Sequence, residues 1–459
     1  MNSTRASSSA TFARSVKCGE HFTVSPSWFD ALTAIERSAL SDLAEVRTAN
    51  SETVVLQAKR NRAGRFCVGG YEFSLLHSIP LRSIIAMSLY VDSGTVDRYI
   101  FDDAHSANLT NADHSVADLI AALLAGEAAR IARAHLYAHY DPTSSVEQTL
   151  RGSVDWSRSL GRPAALGLHC VYFERTMDVL ENRIVTAALV RLRTWHLHSD
   201  AVRRLVAEQS YLWQGVCASV DIDRVALDQI DGRRNRLNAH YATALGISKL
   251  VLTETRGLGG ASGTDLLQSI WLDVPSTFER FVVELLRRAT ISLSIQVEAQ
   301  PTNKTALLDA DGKTYRRVRP DVVLRRQGKA VAVVDMKAKP QYAPTTDDGE
   351  PKTKVTTSDI FQLLFYAQEA QKSAGGLSVP AFIVAPALGP TTQLARRYRQ
   401  VRWRSPELDS EASLRVCAVD VDAVLSALAS GEGEWSIVQA VLPHLARTIT
   451  DRSPSAAMQ

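Results

Sequence analysis

Several things are scarce in this sequence, and each scarcity excludes a class of protein. No apolar run approaches the roughly 18 residues needed to cross a bilayer as a helix, so no membrane-spanning helix is expected. The five cysteines, Cys18, Cys67, Cys170, Cys217 and Cys417, are odd in number and widely scattered. They form no CxxC pair, which argues against a zinc ribbon or redox dithiol and fits a reducing, cytoplasmic setting. An excess of one charge is also missing. Lys and Arg number 52 against 49 Asp and Glu, for a net +3, so any surface for a polyanion has to be local. A nucleotide-binding loop is absent too. The Gly-rich stretch RGLGGASGTDL (256–266) ends Gly263-Thr264-Asp265, where a phosphate loop requires Gly followed by Lys and Ser or Thr.

What remains is an ordinary globular composition, 45% hydrophobic and 22% charged, with 459 residues available for two or three cores. The stretch MNSTRASSSATFARSVK is rich in Ser and lacks the apolar centre of a secretory signal. Residues 1–20 are expected to be a disordered lead-in, and residues 446–459 a disordered tail. Residues 21–150 mix strand-like runs with the long amphipathic pattern HSVADLIAALLAGEAARIARAHLYAHY, and predict an α+β domain. Residues 151–262 read as mainly helical from apolar spacings of three and four. After the Gly-rich junction, residues 263–445 alternate helices and strands. The order is a helix near 275–290, strands at 291–299, 315–326 and 329–337, a helix at 358–373, then a strand at 378–386. A further strand, SLRVCAVDV, and a closing helix, WSIVQAVLPHLART, follow. The expected fold class is α/β of the mixed α+β kind, with helices on both faces of a mixed sheet.

Within that region RPDVVLRRQGKAVAVVDMKAK (319–339) reads as two apolar strands around a turn at Gln327-Gly328-Lys329. Asp321 sits near the start of the first strand and Asp335 near the end of the second, so the hairpin brings both to one end of the sheet. Lys337 follows Asp335 by two residues and shares its face. Two carboxylates suffice to hold Mg2+, which keeps waters and accepts a substrate phosphate, and an ammonium beside them suits attack by water on a phosphodiester. The plain alternative is a salt bridge between Asp335 and Lys337 at a strand end. The helix after the hairpin contains SDIFQLLFYAQ, where Gln362 and Tyr366 are four apart. The helix before it, STFERFVVELL, places Glu279 at the margin of its apolar stripe, with Glu284 as a rival.

Glu279, Asp321, Asp335-Met336-Lys337, Gln362 and Tyr366, in that order, resemble the PD-(D/E)XK nuclease superfamily, in the branch with a trailing QxxxY motif. Asp335 stands where that family more often has Glu. Upstream, RGSVDWSRSLGRPAALGLHCVYFERTMDVLENRIVTAALVRL (151–192), with Asp178, Glu181 and Asn182 opening a long helix, is similar to the McrC family, the nuclease subunit of the McrBC 5-methylcytosine restriction system. Read from the residues alone, Asp178 and Asn182 are helix-start residues, Asp178 serving the helix dipole or cap.

The resemblance implies a Mg2+-dependent DNA endonuclease, with Mn2+ as a substitute and no nucleotide bound by this chain. Asp321, Asp335 and Glu279 would hold metal. Lys337 would act on the attacking water, and Gln362 and Tyr366 would support the site. It also implies a hexameric AAA+ GTPase partner resembling McrB, engaged through residues 21–150, and methylated double-stranded DNA as substrate in a bacterial or archaeal cytoplasm. For DNA contact the stretch ARRYRQVRWRS (395–405) offers Arg396, Arg397, Arg399, Arg402 and Arg404 interleaved with Tyr398 and Trp403. Two other readings stand beside this one: a RecB-like repair nuclease working with a helicase, and a non-cutting activator of an AAA+ motor.

Overall fold

The computed structural model describes residues 12–451, except 50–51, 95, 97–115, 161–162, 164–165, 196, 218–221, 234, 255–269, 309–310, 312, 339–355, 375–377, 388–398 and 406–409. The chain divides into two compact units, one formed by residues 1–111 with 261–459 and the other by 112–260. The first unit is therefore discontinuous, which a linear division at 150 and 262 does not anticipate. Part of the reason is a strand at Ile270–Asp273 that pairs antiparallel with Arg62–Val68 and completes a four-stranded sheet begun by the N-terminal residues.

The centre of the first unit is a six-stranded mixed sheet. Its strands are β1 (Ile295–Ala299), β2 (Val322–Arg326), β3 (Lys329–Met336), β4 (Ala381–Pro386), β5 (Arg399–Ser405) and β6 (Ser410–Val419), in spatial order β1-β2-β3-β4-β6-β5. β1, β2 and β3 form an antiparallel meander, whereas β3, β4 and β6 run parallel. The change of direction after β3 requires a crossover, supplied by the helix α2 (Thr357–Ser373); α1 (Val274–Thr290) precedes the sheet. Every residue of β3 after Lys329 is buried, and all six of β4 are. These are the strands that read as continuous apolar runs, as expected where both faces are covered. Leu363 and Ala367 of α2 pack on Ala381 and Ile383 of β4 and on Leu414 and Val416 of β6.

β2 and β3 are joined by Gln327 and Gly328, both at positive φ (49° and 78°), with Arg326 paired to Lys329. This is the two-residue hairpin whose twist matches the strands. The single strand expected at 315–326 is divided into Thr314–Val318 and β2. Pro320 has no N–H to continue the ladder, which breaks it there. The expected closing helix is likewise two helices, Glu434–Val441 and Pro443–Asp451, separated at Leu442-Pro443 for the same reason.

Residues 12–20 and 446–451, expected within the disordered ends, are ordered, and the rest of both ends lies outside the described residues. Phe12–Lys17 is a strand paired parallel with Tyr71–Leu76, and Val16 is buried. At the other end, Leu445, Ala446 and Ile449 bury one face of the last helix, whose Ile449 carbonyl accepts a hydrogen bond from Arg326 Nη2 at 2.8 Å. Non-local hydrogen bonding decides both cases.

The helix Leu81–Ser93 packs on α1, with the rings of Tyr90 and Phe281 edge to face at 5.4 Å. It ends at Gly94 (φ 73°), where a Cβ would meet the Arg288 guanidinium. Gly94→Ala is expected to destabilise the unit by about 1–3 kcal/mol, measured as a lower midpoint of denaturant unfolding.

The second unit holds four long helices, Val116–Ala134, Leu180–Leu192, Asp200–Gln214 and Ala242–Glu254, and the three-stranded sheet of His139–Glu147, Ser153–Val154 and Leu168–Thr176. Its helical share agrees with the periodicity. Asp178 does not cap the helix that follows, because the helix starts at Leu180 and its N-cap is Val179. Asp178 instead accepts two hydrogen bonds from Arg183, at 2.6 and 2.8 Å. Asn182 is buried and fully engaged: its amide donates to the carbonyls of Met177 and Tyr137, and it accepts from the Tyr241 hydroxyl at 2.7 Å. Buried Glu181 accepts from Asn238 Nδ2 at 2.9 Å. These contacts tie the start of this helix to Tyr137, Met177, Asn238 and Tyr241.

Candidate active site at the end of the sheet

The register of β2 and β3 pairs Val322 with Val334, so one step further Asp321 falls opposite Asp335. Asp321 sits at the bend after Pro320, where its carboxylate Oδ2 accepts a hydrogen bond from the Met336 backbone N–H at 2.7 Å. Asp335 is 1% exposed. Its Oδ2 lies 2.7 Å from Lys337 Nζ, an ion pair with both side chains largely out of water. The Lys337 backbone N–H bonds the Val384 carbonyl at 2.9 Å and holds that residue against β4.

Burial of these groups shows in their acidities. Asp321 is pushed up to about 7, first by burial and then by the Asp335 charge, with Glu279 adding to the effect and Lys337 opposing it. Asp335 is also raised, by burial, against the pull of Lys337. Two carboxyls this close and this dry titrate as a pair and retain a proton where isolated acids would not. Burial alone would lower the Lys337 pKa, but the carboxylates of Asp335, Asp359 and Asp321 outweigh it and the pKa is raised. Lys337 therefore stands as an ammonium.

Two residues at the site carry no sequence signal of their role. Asp359 is buried in the first turn of α2, where Thr356 caps the helix and donates to Asp359 Oδ2 at 2.7 Å. Its Oδ1 lies 3.9 Å from Lys337 Nζ, which gives the ammonium a second carboxylate. The T-T-S-D run from Thr356 to Asp359 is a visible capping pattern, yet nothing in it announces the lysine. Gln300 is the second. It has a left-handed backbone (φ 48°), costly for a residue with a Cβ, and its N–H bonds the Asp321 carbonyl at 2.7 Å. Its amide donates to Glu279 Oε1 and accepts from Arg319 Nη2. Gln300 thus joins α1, β1 and the bend that carries Asp321.

Glu279 is brought near Asp321 and turned toward Gln300. Its rival Glu284 is engaged away from the site, by Arg288 at 2.8 Å and Arg287 at 3.8 Å. Among the described residues no three His, Cys, Asp or Glu side chains form a group that could hold a metal ion. Gln362 and Tyr366 meet each other, the amide donating to the phenol oxygen at 2.7 Å. Tyr366 also packs on the cluster containing Val323 and Val333, and lines a cavity of about 370 Å³ with Pro301, Pro320 and Ala370. Of the five arginines proposed for DNA contact, Arg396 and Arg397 lie outside the described residues. Arg399, Arg402 and Arg404 lie on β5, the edge strand beside β6.

Fold and site together define a mixed α/β protein whose central sheet ends in a buried pair of carboxyls beside a lysine. Residues 93–380 match the family model described as "McrBC 5-methylcytosine restriction system component", and the chain belongs to that family. No curated protein matches it significantly. Among solved structures it is similar to a chain of the refined half-complex from a tetradecameric assembly of Thermococcus gammatolerans McrB AAA+ hexamers with bound McrC. That match has 14% identity and a TM-score of 0.58, covering 92% of this chain and 99% of that one. A chain of the cryo-EM structure of the Thermococcus gammatolerans McrBC complex matches at 15% identity and a TM-score of 0.44, over 60% of this chain and 88% of that one. The first of these shares the fold. Among the described residues no helix is long and apolar enough to cross a membrane.

Proposed function

We propose that this chain is the DNA-cutting subunit of a methylation-dependent restriction system, working in the cytoplasm with a hexameric AAA+ GTPase that resembles McrB. The observation that carries the reading is the buried Asp321–Asp335 pair joined to Lys337, in a chain of the McrBC family. A salt bridge built only for structure needs one carboxylate for its lysine. Here a second acid is held opposite the first at the cost of a strongly shifted acidity, an arrangement more typical of reactive sites than of packing.

The donor chemistry fits Mg2+, or Mn2+ in its place: two adjacent hard-oxygen ligands whose mutual repulsion a divalent cation relieves. Asp321 and Asp335 would hold it, with Glu279, which accepts a hydrogen bond from Gln300, as the third candidate ligand. When bound, the metal would acidify a water and stabilise charge on the phosphorane. The remaining work falls to the chain's own side chains. Met336 N–H fixes one oxygen of Asp321, leaving the other to face Asp335. Lys337, kept protonated by its carboxylates, orients the attacking water and faces the phosphate with positive charge. Asp359 holds that ammonium in place.

The partner is proposed from the family and from the shared fold with a chain of an assembly of McrB AAA+ hexamers with McrC. The test is cleavage of methylated and unmethylated plasmid by this chain, with Mg2+, GTP and an McrB-like AAA+ GTPase. Cutting confined to methylated DNA and dependent on the partner is expected. Cutting by this chain alone, indifferent to methylation, would transfer the chain to repair-type nucleases.

A further inference from the structure

The cavity beside Tyr366 lies on the same face of the central sheet as the carboxyl pair. Side chains alternate along a strand, so Val323 and Arg325 of β2 share the face of Asp321, and Val333 of β3 shares that of Asp335. α2 covers this face, with Tyr366 packed on the cluster of Val323, Val333 and Ala370. The space left between helix and sheet is about 370 Å³. It begins at Pro320, the residue before Asp321, and extends to Glu298, Pro301 and Thr302 at the sheet edge formed by β1.

The lining selects one kind of occupant. Four charged side chains reach the cavity, and they are paired with one another: Arg325 with Glu298 at 2.7 Å, and Lys372 with Glu369 at 2.5 Å. The wall is therefore balanced in charge. A phosphate, which is held by an excess of cationic donors, gains little there. The remaining surface is flat and weakly polar, made by the rings of Pro301, Pro320 and Tyr366 with buried Val323 and Ala370 beneath. Tyr366 is fixed by the Gln362 amide, which donates to the phenol oxygen at 2.7 Å and leaves the phenol O–H as a donor. A neutral heterocycle matches every part of this wall, with faces to stack and edge atoms to meet the hydroxyl and the carboxylates. The volume falls at the small end of the roughly 300–1,000 Å³ of small-molecule sites, room for one nucleoside and not for a length of strand.

We propose that this cavity receives one base of the strand being cut, turned out of the duplex, so that the phosphate next to it is set against Asp321 and Asp335. This rests on the nuclease reading and adds the feature that chooses the phosphate. Pro320 stands one residue from Asp321, about 3.8 Å along the chain, comparable with the roughly 3.4 Å that a strand advances per nucleotide. Unstacking a base costs free energy, which stacking on an aromatic ring offsets whichever base it is. The cavity thus gives the cut its register without a sequence preference.

The test uses the full chain bound in EDTA to a 30-base-pair duplex in which 5-iodouracil replaces thymine, followed by irradiation and mass spectrometry of the crosslinked peptides. A crosslink at Tyr366 is expected. Thr302 and Lys372 are exposed at the mouth of the cavity, and Thr302→Trp closes it without touching the carboxyls. That chain should bind duplex within about twofold of the unaltered one, since phosphate contacts dominate affinity, yet lose the Tyr366 crosslink. With Mg2+, GTP and an McrB-like AAA+ GTPase it should cut about tenfold or more slowly, because the phosphate is no longer positioned. On end-labelled DNA its cuts should spread over neighbouring phosphates, whereas a chain that had only lost stability would cut less at unchanged positions. Duplex bound by the unaltered chain with no crosslink at Tyr366 overturns the base pocket, whether or not the variant folds. So do unchanged cut positions in a folded Thr302→Trp chain, and both results leave the nuclease reading standing. An unaltered chain that neither binds duplex nor cuts with its partner instead removes the nuclease reading, and the pocket with it.

Discussion

A Lys337→Ala chain is expected to fold and engage its partner but to lose cleavage. The expected loss in cleavage is about 10²–10³-fold or more, the size found when one pre-positioned donor to a developing oxyanion is removed. Lys337 has 16% of its side chain exposed and holds two acids, Asp335 at 2.7 Å and Asp359 at 3.9 Å. Removing one member of a buried pair can cost about 3–5 kcal/mol, because the other charge stays behind. Here the remaining acids have an outlet, since a carboxyl pair that already retains a proton near pH 7 takes up another. The variant is therefore expected to melt close to the unaltered chain at pH 5.5 and well below it at pH 8. Its Mg2+ affinity, by calorimetry, should be equal or higher, because the cation that competes with the metal is gone. Cleavage within tenfold of the unaltered chain would show that the ammonium has no part in the chemistry.

The carboxyl pair itself produces the second large effect. The Asp321 pKa is raised to about 7 in the folded chain, against roughly 3.9 in an unfolded one. A group raised in this way binds its proton more tightly in the folded state. Its contribution is present in full below about pH 4 and is lost as pH rises through 7. The limit is about 1.4 kcal/mol per pH unit. After allowance for solvent screening of a partly exposed carboxyl, roughly 2 kcal/mol is expected to disappear between pH 5 and 8. An Asp321→Asn chain lacks that titration, so the difference between the two stability curves reports the coupled Asp321–Asp335 pair apart from the acids elsewhere in the chain. Millimolar Mg2+ should restore the loss at pH 8 in the unaltered chain and not in the Asn variant. Parallel curves for the two chains would mean that the pair is not the source of the pH dependence.

The legible parts of this molecule were those whose determinants are local. The β2–β3 hairpin could be read because two apolar runs meet at Gln327-Gly328, and its pairing carries Asp321, Asp335 and Lys337 to one place. α1 and α2 were legible from apolar spacing. The breaks at Pro320 and Pro443 were also written in the sequence, and were overlooked because the flanking apolar pattern is continuous. Other features depend on partners distant in the chain. Phe12–Lys17 becomes a strand only because Tyr71–Leu76 lies beside it. Gln300 acquires its place from Glu279, Arg319 and Asp321 together, and no neighbour in VEAQPTNK marks it. Asp359 reads as a capping residue and is one, so its second role toward Lys337 is invisible until α2 is docked.

The pairing of Arg62–Val68 with Ile270–Asp273 also sets a timetable for the ribosome. About 200 residues separate the two strands, and at 5–20 residues per second the first waits roughly 10–40 s for its neighbour to emerge. During that interval the nascent chain carries an open sheet edge, while residues 112–260 can already close into their own unit. A stop or frameshift before residue 270 thus leaves a product with a permanently unpaired edge, the form most prone to sticking to its own copies. Expression of residues 1–111 alone should accordingly drive it into inclusion bodies. Supplying residues 261–459 from a second message in the same cell should bring it back into solution.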